Sequence, residues 1–384
     1  MTLPLRFSLF YASLFLVVGI QLPYWPVWLR GRGLSATEIG ILVATQLWVK
    51  VAFNPVAGHI VDRTGRRRPV LFVLAAGCLA ATALFPLMPG FPALLALSVV
   101  SGALFAAILP VGDNLTMTHV VREGLDYGRI RLWGSLAFIA ASGAVGRLLD
   151  VTSESIVVWL IVGGFVPLCF AVFALPDAPP PAAAAAPARL SWIDLFSSPI
   201  YWTFLAATAL TGASHAVYYG FVTLHWSEAG IDHALIGALW GTGVAAEVVL
   251  FAFSGRVVRA LGPFRLILLG GLAGVVRWTL LAFVTDPWLL FPLQALHAFT
   301  FGATHLGAMH FIARHIAPGL AGRAQGLYAA AGNGVVLGLA TLAAGRLYAA
   351  TGGHAFLAMS VMAAGGSAAA FLLLRMARRT AASV

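Results

Sequence analysis

The stretch Gly33-Leu-Ser-Ala-Thr-Glu-Ile39-Gly40-Ile-Leu42 matches a second stretch that lies 197 positions later in the chain. The second stretch is Gly230-Ile-Asp-His-Ala-Leu-Ile236-Gly237-Ala-Leu239. The same offset relates two further pairs of glycines, Gly58 with Gly255 and Gly65 with Gly262. A constant offset that survives over so many positions indicates that the chain contains two related halves. Membrane transporters are often built from parallel repeats of this kind, with the substrate site near the midplane between the two halves.

The composition is that of a membrane protein. The chain of 384 residues is 60% hydrophobic and only 9% charged, with a mean hydropathy of +0.93, whereas soluble domains carry about 25% charged residues. The apolar runs do not alternate, and each is about 20 residues long, the length of a membrane-spanning helix. We therefore predict an all-α membrane protein with twelve spans, near residues 7–29, 36–60, 69–88, 92–118, 130–149, 154–175, 198–226, 233–256, 264–284, 288–313, 323–348 and 353–375.

A stretch rich in proline and alanine follows the sixth span and begins Pro176-Asp177-Ala178-Pro179-Pro180-Pro181. Such a composition is typical of a semi-extended linker. We predict an N-terminal six-helix bundle over residues 1–175, a cytoplasmic linker over 176–197 and a C-terminal six-helix bundle over 198–384.

The positive charge is distributed as in a membrane protein, not as in a nucleic-acid-binding protein. The net charge is +10, and the arginines cluster in every second gap between spans. Cytoplasmic loops carry this excess of arginine and lysine. The pattern predicts a multi-pass protein of the bacterial inner membrane with both termini in the cytoplasm and the lipid bilayer, not nucleic acid, as its surroundings.

Five charged residues lie within apolar spans or at their edges, where a charge costs roughly 2.5–3.5 kcal/mol at the bilayer centre on insertion scales. Lys50, the only lysine of the chain, lies in the second span. The others are Asp113, Arg131, Glu247 and Arg277. Charges in such positions usually face a polar path and have a partner, so they are the first candidates for a transport site.

Other classes of protein are excluded or disfavoured. A nucleotide-binding loop of the form G-x-x-x-x-G-K-[ST] is impossible, because Lys50 is not preceded by that pattern and no other lysine exists. No metal-ligand spacing is present, since His305 and His310 are five residues apart. Cys78 and Cys169 lie within apolar runs and are expected to be packing residues. We expect neither an enzyme nor a cofactor, with a proton gradient as the energy source.

The loop Gly58-His-Ile-Val-Asp62-Arg63-Thr-Gly65-Arg66-Arg67-Arg68 resembles the signature loop of the major facilitator superfamily, G-x-x-x-D-R-x-G-R-[KR]. The alternative interpretation is a basic cytoplasmic loop without a special role. The resemblance implies the twelve-helix fold of that superfamily, transport by alternating access, and a gating loop that contains Gly58, Asp62, Arg63, Gly65 and Arg66.

Three further stretches resemble the phenylpropionate permeases and galactoside/proton symporters of this superfamily. They are Asp126–Ser135 in the fifth span, Leu22–Leu29 in the first and Leu293–His310 in the tenth. The resemblance implies that Asp113 and Arg131 bind substrate, and that Glu247 is the carboxylate near them. Arg277 and His297 match the spacing of an arginine and a histidine in those proteins. The chain departs from the sugar symporters at Thr300, where they have a carboxylate, and at Phe138, where they have a tryptophan.

The sequence thus predicts a monomeric transporter that takes up a small organic anion with protons, such as an aromatic monocarboxylate like phenylpropionate. The alternatives are a sugar or nucleoside proton symporter and a membrane receptor that transports nothing. The predicted substrate-binding residues are Tyr24, Lys50, Asp113, Arg131, Gln294, His297 and His305. The predicted proton-coupling residues are Asp113, Glu247 and His297.

Overall fold

The structure is a computed structural model that describes residues 1–177 and 195–382. These residues form helices and connecting turns, and no strand occurs among them. The α-helices are α1 Leu3–Gly31, α2 Ala36–Thr64, α3 Arg67–Leu84, α4 Gly90–Glu123, α5 Tyr127–Leu149, α6 Ile156–Ala174, α7 Pro199–Ala213, α8 Ala216–Glu228, α9 His233–Ala252, α10 Ser254–Leu281, α11 Pro287–Ala295, α12 Thr304–His315, α13 Pro318–Ala330, α14 Leu337–Thr351 and α15 Ala355–Ala382.

Nine helical stretches of the described residues are long and apolar enough to cross a membrane. Each of the first six predicted spans is one such helix, whereas three later spans are interrupted. The seventh breaks between α7 and α8, where the Ser214 hydroxyl donates to the Thr211 carbonyl oxygen at 2.7 Å; such local bonds compete with the helical pattern. The tenth and eleventh contain π-helical segments, Ala298–Ala303 and Ala331–Val336.

The described residues divide into two compact units. The first unit contains residues 1–177 and 223–241, and the second contains 195–222 and 242–382. In the first unit, α1 packs on α5 and α6, and α3 packs on α4 and α6. In the second unit, α7 packs on α14 and α15, and α10 packs on α12 and α15. These are corresponding pairs when the spans of each half are numbered in order.

The repeat is also visible in the backbone. Gly33 and Gly230 have φ values of 83° and 81°, and Gly65 and Gly262 have φ values of 63° and 67°. Each pair is separated by the same 197 residues. Left-handed backbone is open to glycine without the steric cost that a Cβ brings. Gly33 and Gly230 therefore mark the turn before the second span of each half. Gly65 marks the turn after α2, whereas its counterpart Gly262 forms a kink within α10.

The signature loop is held by contacts within the first unit. Gly65 ends α2 in a left-handed conformation. The backbone N–H groups of Arg67 and Arg68 donate to Asp177 Oδ1 at 3.3 and 3.4 Å, so a carboxylate that follows α6 caps the start of α3. Arg67 is buried, and its Nε donates to Asn114 Oδ1 on α4 at 2.5 Å.

The predicted gating residues are placed differently from one another. Arg63 and Arg66 are exposed, and a Cβ added at Gly58 would meet no atom within 4 Å. No neighbouring helix therefore comes close to Gly58 in this structure. The Asp62 side chain, like most of the predicted linker, lies outside the described residues.

Gly65 and its counterpart in the second half, Gly262, differ in ψ, and this difference allows a prediction. Gly65 has a ψ of 5°, a conformation that asparagine tolerates, whereas Gly262 has a ψ of 170°, a region essentially restricted to glycine. We expect Gly262→Asn to destabilise the fold by about 1–3 kcal/mol and Gly65→Asn by about 1 kcal/mol or less. The thermal unfolding midpoints of the purified variants, with Gly58→Asn as a control in open space, measure this. Equal midpoints for the two variants would contradict it.

Candidate functional site

In the first unit, the Asp113 carboxylate on α4 is the acceptor for two tyrosine hydroxyls. Tyr11 on α1 donates to Asp113 Oδ1, and Tyr127 on α5 donates to the same oxygen at 3.2 Å. Tyr11 is fully buried, whereas Asp113 and Tyr127 are half-buried. Helices α1, α4 and α5 thus converge on one carboxylate, as expected for a charge that must be satisfied inside the protein.

Arg131 lies beside this group but does not pair directly with Asp113. Its guanidinium carbon lies 3.9 Å from the ring centre of Phe15 and 5.4 Å from that of Tyr11. Among the described residues, no salt bridge joins Arg131 to Asp113. The Tyr11 ring contacts both side chains, so the cation lies on an aromatic surface while the carboxylate is held by hydroxyls.

Lys50 is placed on α2, four residues after Gln46, so both side chains share a helix face. Gln46 lies against α4, because a Cβ added at Gly102 would be 3.3 Å from Gln46 Cγ. The Lys50 side chain is exposed, and no acceptor among the described side chains pairs with its ammonium. The apolar stretch around it, Ala36–Val61, is long enough to span a membrane, so this ammonium requires water or an anion.

In the second unit, a fully buried arginine organises a polar network. The Arg277 side chain on α10 has no exposed surface. Its guanidinium donates to Gln294 Oε1 at 2.8 Å and to Thr300 Oγ1 at 3.1 Å, and it lies 3.2 Å from His297 Nδ1. The guanidinium carbon also lies 4.5 Å from the Tyr218 ring centre and 4.6 Å from that of Trp278. A cation that is removed from water needs such partners, and among the described residues only the buried Nε of Arg277 has no hydrogen-bond partner on this guanidinium.

Glu247 and His215 extend this network in two directions. His297 Nε2 lies 3.7 Å from Glu247 Oε2 on α9. On the other side, His215 Nε2 lies 3.1 Å from Thr300 Oγ1. A cavity of about 100 Å³ adjoins His215, Thr300 and Thr304, which is room for about three water molecules. The buried Thr304 Oγ1 has no hydrogen-bond partner among the described residues, and it lies against Gly270 of α10.

His297 and His305 are connected by an aromatic ladder. Phe301 stacks on His297 with ring centres 5.5 Å apart and on His305 with centres 6.0 Å apart. His305 Nδ1 lies 3.5 Å from the Tyr328 hydroxyl. Two of the histidines predicted to bind substrate are thus connected through a phenylalanine in the π-helical segment, and His305 lines the cavity.

Tyr24 is placed away from these charges. It is fully buried, and its hydroxyl donates to the Ser142 carbonyl oxygen at 2.7 Å. Because the hydroxyl carries one hydrogen, that donor is already used in this conformation. No group of three potential metal ligands occurs among the described residues, and Cys78 and Cys169 are free thiols.

Several residues of these two groups were not predicted from the sequence. Tyr11, Phe15 and Tyr127 surround Asp113 and Arg131, and Tyr218 and Thr300 surround Arg277. A signal existed only for Tyr127, which lies four residues before Arg131 and therefore on the same face of α5. The sequence singled out Arg277 as an intramembrane charge but did not include it among the predicted substrate-binding residues, whereas in the structure it is the centre of the network in the second unit.

The chain was compared with known proteins. The family model described as "MFS_1 like family" matches residues 5–358. The chain is 32% identical to the "Probable 3-phenylpropionic acid transporter" of Escherichia coli (strain K12) over 342 residues, which cover 88% of this chain and 90% of that protein. It is 31% identical to the "Maltose permease" of Geobacillus stearothermophilus over 359 residues, which cover 89% of this chain and 86% of that protein.

Solved structures share the fold. The crystal structure of the nucleoside transporter NupG superposes with a TM-score of 0.82 at 17% identity, covering 98% of this chain and 99% of that chain. The chain belongs to the MFS_1-like family, within the major facilitator superfamily. It is a multi-pass membrane protein with the twelve-helix fold, a secondary transporter of small molecules by alternating access, and not an enzyme.

The geometry around Arg277 predicts that a lysine cannot replace it. A lysine ammonium lacks the planar fork that reaches Gln294, Thr300 and His297 together. Arg277→Lys should lower the free energy of unfolding by about 3 kcal/mol, the size of one or two lost hydrogen bonds to a charged group, and should abolish transport. The control is Arg256→Lys, because Arg256 is exposed. Thermal midpoints and uptake rates measure both effects, and an Arg277→Lys variant with full activity would refute the role of the fork.

Proposed function

We propose that this protein takes up a small organic anion together with protons, and that the anion is an aromatic monocarboxylate of the 3-phenylpropionate type. We further propose that it acts as a monomer in the bacterial inner membrane with both termini in the cytoplasm. The arginine distribution along the sequence supports this orientation.

The observation that carries the proposal is that Lys50 has no acidic partner among the described side chains. Lys50 is an exposed residue within an apolar stretch, and its ammonium has no acceptor among the described side chains. Arg277 and Asp113, by contrast, form hydrogen bonds with neighbouring side chains. A cation in such a position that has no carboxylate partner among the described side chains is suited to bind the carboxylate of a substrate.

Aromatic side chains in the first unit favour a substrate with a ring. Phe15 and Tyr11 lie beside Arg131, so a positive charge and an apolar aromatic surface are adjacent. The relative at 32% identity is named as a probable transporter of 3-phenylpropionic acid, a molecule with one ring and one carboxylate. We assign Lys50 and Arg131 to the carboxylate.

The second unit supplies the proton-coupling residues. Glu247 is a partly exposed carboxylate beside His297, and the cavity next to Thr300 and His215 offers room for water near the same network. We propose that Glu247 carries the proton and that His297 passes it between Glu247 and this water. Asp113, which accepts from two tyrosine hydroxyls, is the second candidate carrier.

A sugar or nucleoside symporter is the second candidate function. The unpaired buried Asn54 Oδ1 and the Asp113 carboxylate are acceptors, and hydroxyl-rich substrates are recognised by such acceptors. The maltose permease and the nucleoside transporter among the similar proteins also favour it.

Uptake into proteoliposomes tests the proposal. Labelled 3-phenylpropionate, maltose and uridine are offered with and without an inward proton gradient. We expect only 3-phenylpropionate to accumulate, and only with the gradient. Glu247→Gln should abolish this accumulation but retain exchange of internal for external substrate, because exchange needs no net proton release. Glu123→Gln is the control, because Glu123 is an exposed carboxylate at the end of α4. Uphill uptake retained in both Glu247→Gln and Asp113→Asn would defeat the assignment of the carriers.

The role of Lys50 makes a separate prediction. Lys50→Met keeps much of the side-chain length and removes the charge, so the Kd for 3-phenylpropionate should rise about 10- to 100-fold, the value of one charge-assisted hydrogen bond. The Kd for the neutral 3-phenylpropionamide should not change, and Lys50→Arg should retain part of the affinity. Binding is measured by calorimetry on purified protein. An equal loss for the acid and the amide would show that Lys50 does not contact the carboxylate.

A further inference from the structure

His215 is a buried histidine at the break between α7 and α8, and neither the substrate nor the proton assignment uses it. Its Nδ1 lies 3.3 Å from the Thr211 carbonyl oxygen and 3.1 Å from that of Gly212. These carbonyls belong to the last turn of α7, where a helix leaves its C=O groups without intrahelical partners. Because a carbonyl oxygen only accepts, Nδ1 carries the hydrogen, and the neutral ring presents Nε2 as an acceptor.

This acceptor determines the direction of the Thr300 hydroxyl. His215 Nε2 lies 3.1 Å from Thr300 Oγ1. Arg277 Nη1 donates to the same oxygen at 3.1 Å, so the hydroxyl hydrogen must point away from the guanidinium, and it points to His215. The other acceptor within reach, the His297 carbonyl oxygen, lies farther away at 3.5 Å. His215 thus orients Thr300 as an acceptor for Arg277.

His297 carries its hydrogen on the opposite ring nitrogen. Arg277 Nη1, which has two hydrogens, also lies 3.2 Å from His297 Nδ1. A guanidinium only donates, so Nδ1 of His297 is an acceptor, and the hydrogen of the neutral ring is on Nε2. This Nε2 lies 3.7 Å from Glu247 Oε2. One guanidinium nitrogen therefore joins two histidines of opposite tautomer.

The ring of His215 is fixed, and its hydrogen bonds do not lead a proton onward. Tyr219 stacks on it with ring centres 5.4 Å apart, and Trp278 contacts it edge-on with centres 5.0 Å apart. Its Nδ1 hydrogen faces backbone carbonyls, which accept hydrogen bonds but do not take up and release protons as side chains do. A role in positioning its neighbours fits this geometry better than a role as a carrier.

We infer that His215 is a positioning residue that, through Thr300, holds the Arg277 guanidinium against His297 and keeps His297 in the Nε2–H tautomer. A proton that arrives from water must add to Nδ1 before the Nε2 proton leaves to Glu247, because the ring would otherwise become an anion. Arg277 therefore has to leave Nδ1 for each transfer, and His215 opposes this release. The consequence for transport rests on the proposed role of His297 in proton coupling, whereas the tautomer does not.

Solid-state ¹⁵N NMR of histidine-labelled protein in lipid bilayers tests this role, because ring nitrogens with and without a hydrogen have well-separated shifts. The signals of His297 are those that disappear in His297→Asn. We expect Nε2–H as its main tautomer in the native protein. His215→Asn places no acceptor near Thr300 and should raise the Nδ1–H fraction of His297 about tenfold or more, the effect of weakening a hydrogen bond to a charged group.

Conservative variants and a matched control separate this effect from general loosening. His215→Gln can place an amide oxygen where Nε2 lies, and Thr300→Ser keeps the hydroxyl, so both should retain the native tautomer. Thr300→Val should act like His215→Asn, and the double variant should add nothing, because both changes break the same connection. His315→Asn is the control, since His315 Nδ1 also lies near a carbonyl four residues earlier, that of Phe311 at 3.2 Å, but on an exposed residue.

Three outcomes would overturn the inference. The first is Nδ1–H as the main tautomer of His297 in the native protein, and the second is an unchanged His297 spectrum in His215→Asn. The third is an equal change in His315→Asn, because the fold as a whole would then be loosened. The spectra require neither substrate nor proton gradient, so each of these outcomes leaves the uptake test separate. Uptake that needs no proton gradient would refute the proposed function and leave the tautomer result in place.

Discussion

The cost of a charge in the hydrocarbon region is the constraint from which the rest of this structure follows. The membrane spans contain strong cations, and each cation is stabilised in a different way. Arg277 is enclosed by neutral acceptors and two aromatic rings. The Arg131 guanidinium lies over the face of the Phe15 ring. Lys50 receives no acceptor from the described side chains, which is why we propose Lys50, rather than Arg277, as the cation that binds the substrate.

The acids show the same contrast. Asp113 is held by Tyr11 and Tyr127, whose hydroxyls fix the orientation of one carboxylate oxygen. Glu247 lies 3.7 Å from a histidine nitrogen, which is a base that can exchange a proton with it. This neighbour supports the proton-carrying role that we propose for Glu247, whereas hydroxyl donors suit an acid that positions a substrate. The two units therefore hold acids in chemically different surroundings.

The sequence predicted those features that depend on local backbone geometry or on overall hydrophobicity. The repeat aligned Gly33 with Gly230 and Gly65 with Gly262, and all four glycines have positive φ. The helical class and the family followed from the length of the apolar runs and from the signature loop. The sequence did not predict that Tyr11 reaches Asp113, because that contact joins residues 102 positions apart and depends on how α1 rotates against α4. The sequence also indicated that Arg131 lies near Asp113, but it did not indicate that an aromatic ring lies between α1 and α5 beside these two residues.

The π-helical segments explain why the network around Arg277 was the hardest part to predict. An α-helical wheel relates residues at intervals of three or four positions, and a π turn inserts an additional residue that changes this relation. Thr300 and Phe301 lie in the segment Ala298–Ala303, between His297 and His305. The wider turn lets Phe301 stack on both histidines while Thr300 faces Arg277 and His215. Gly332 of the second π segment lines the same cavity. Both π-helical segments thus contribute residues to the region of the second unit that contains a buried cation, two histidines and room for water. A regular α-helix could not supply side chains in these directions.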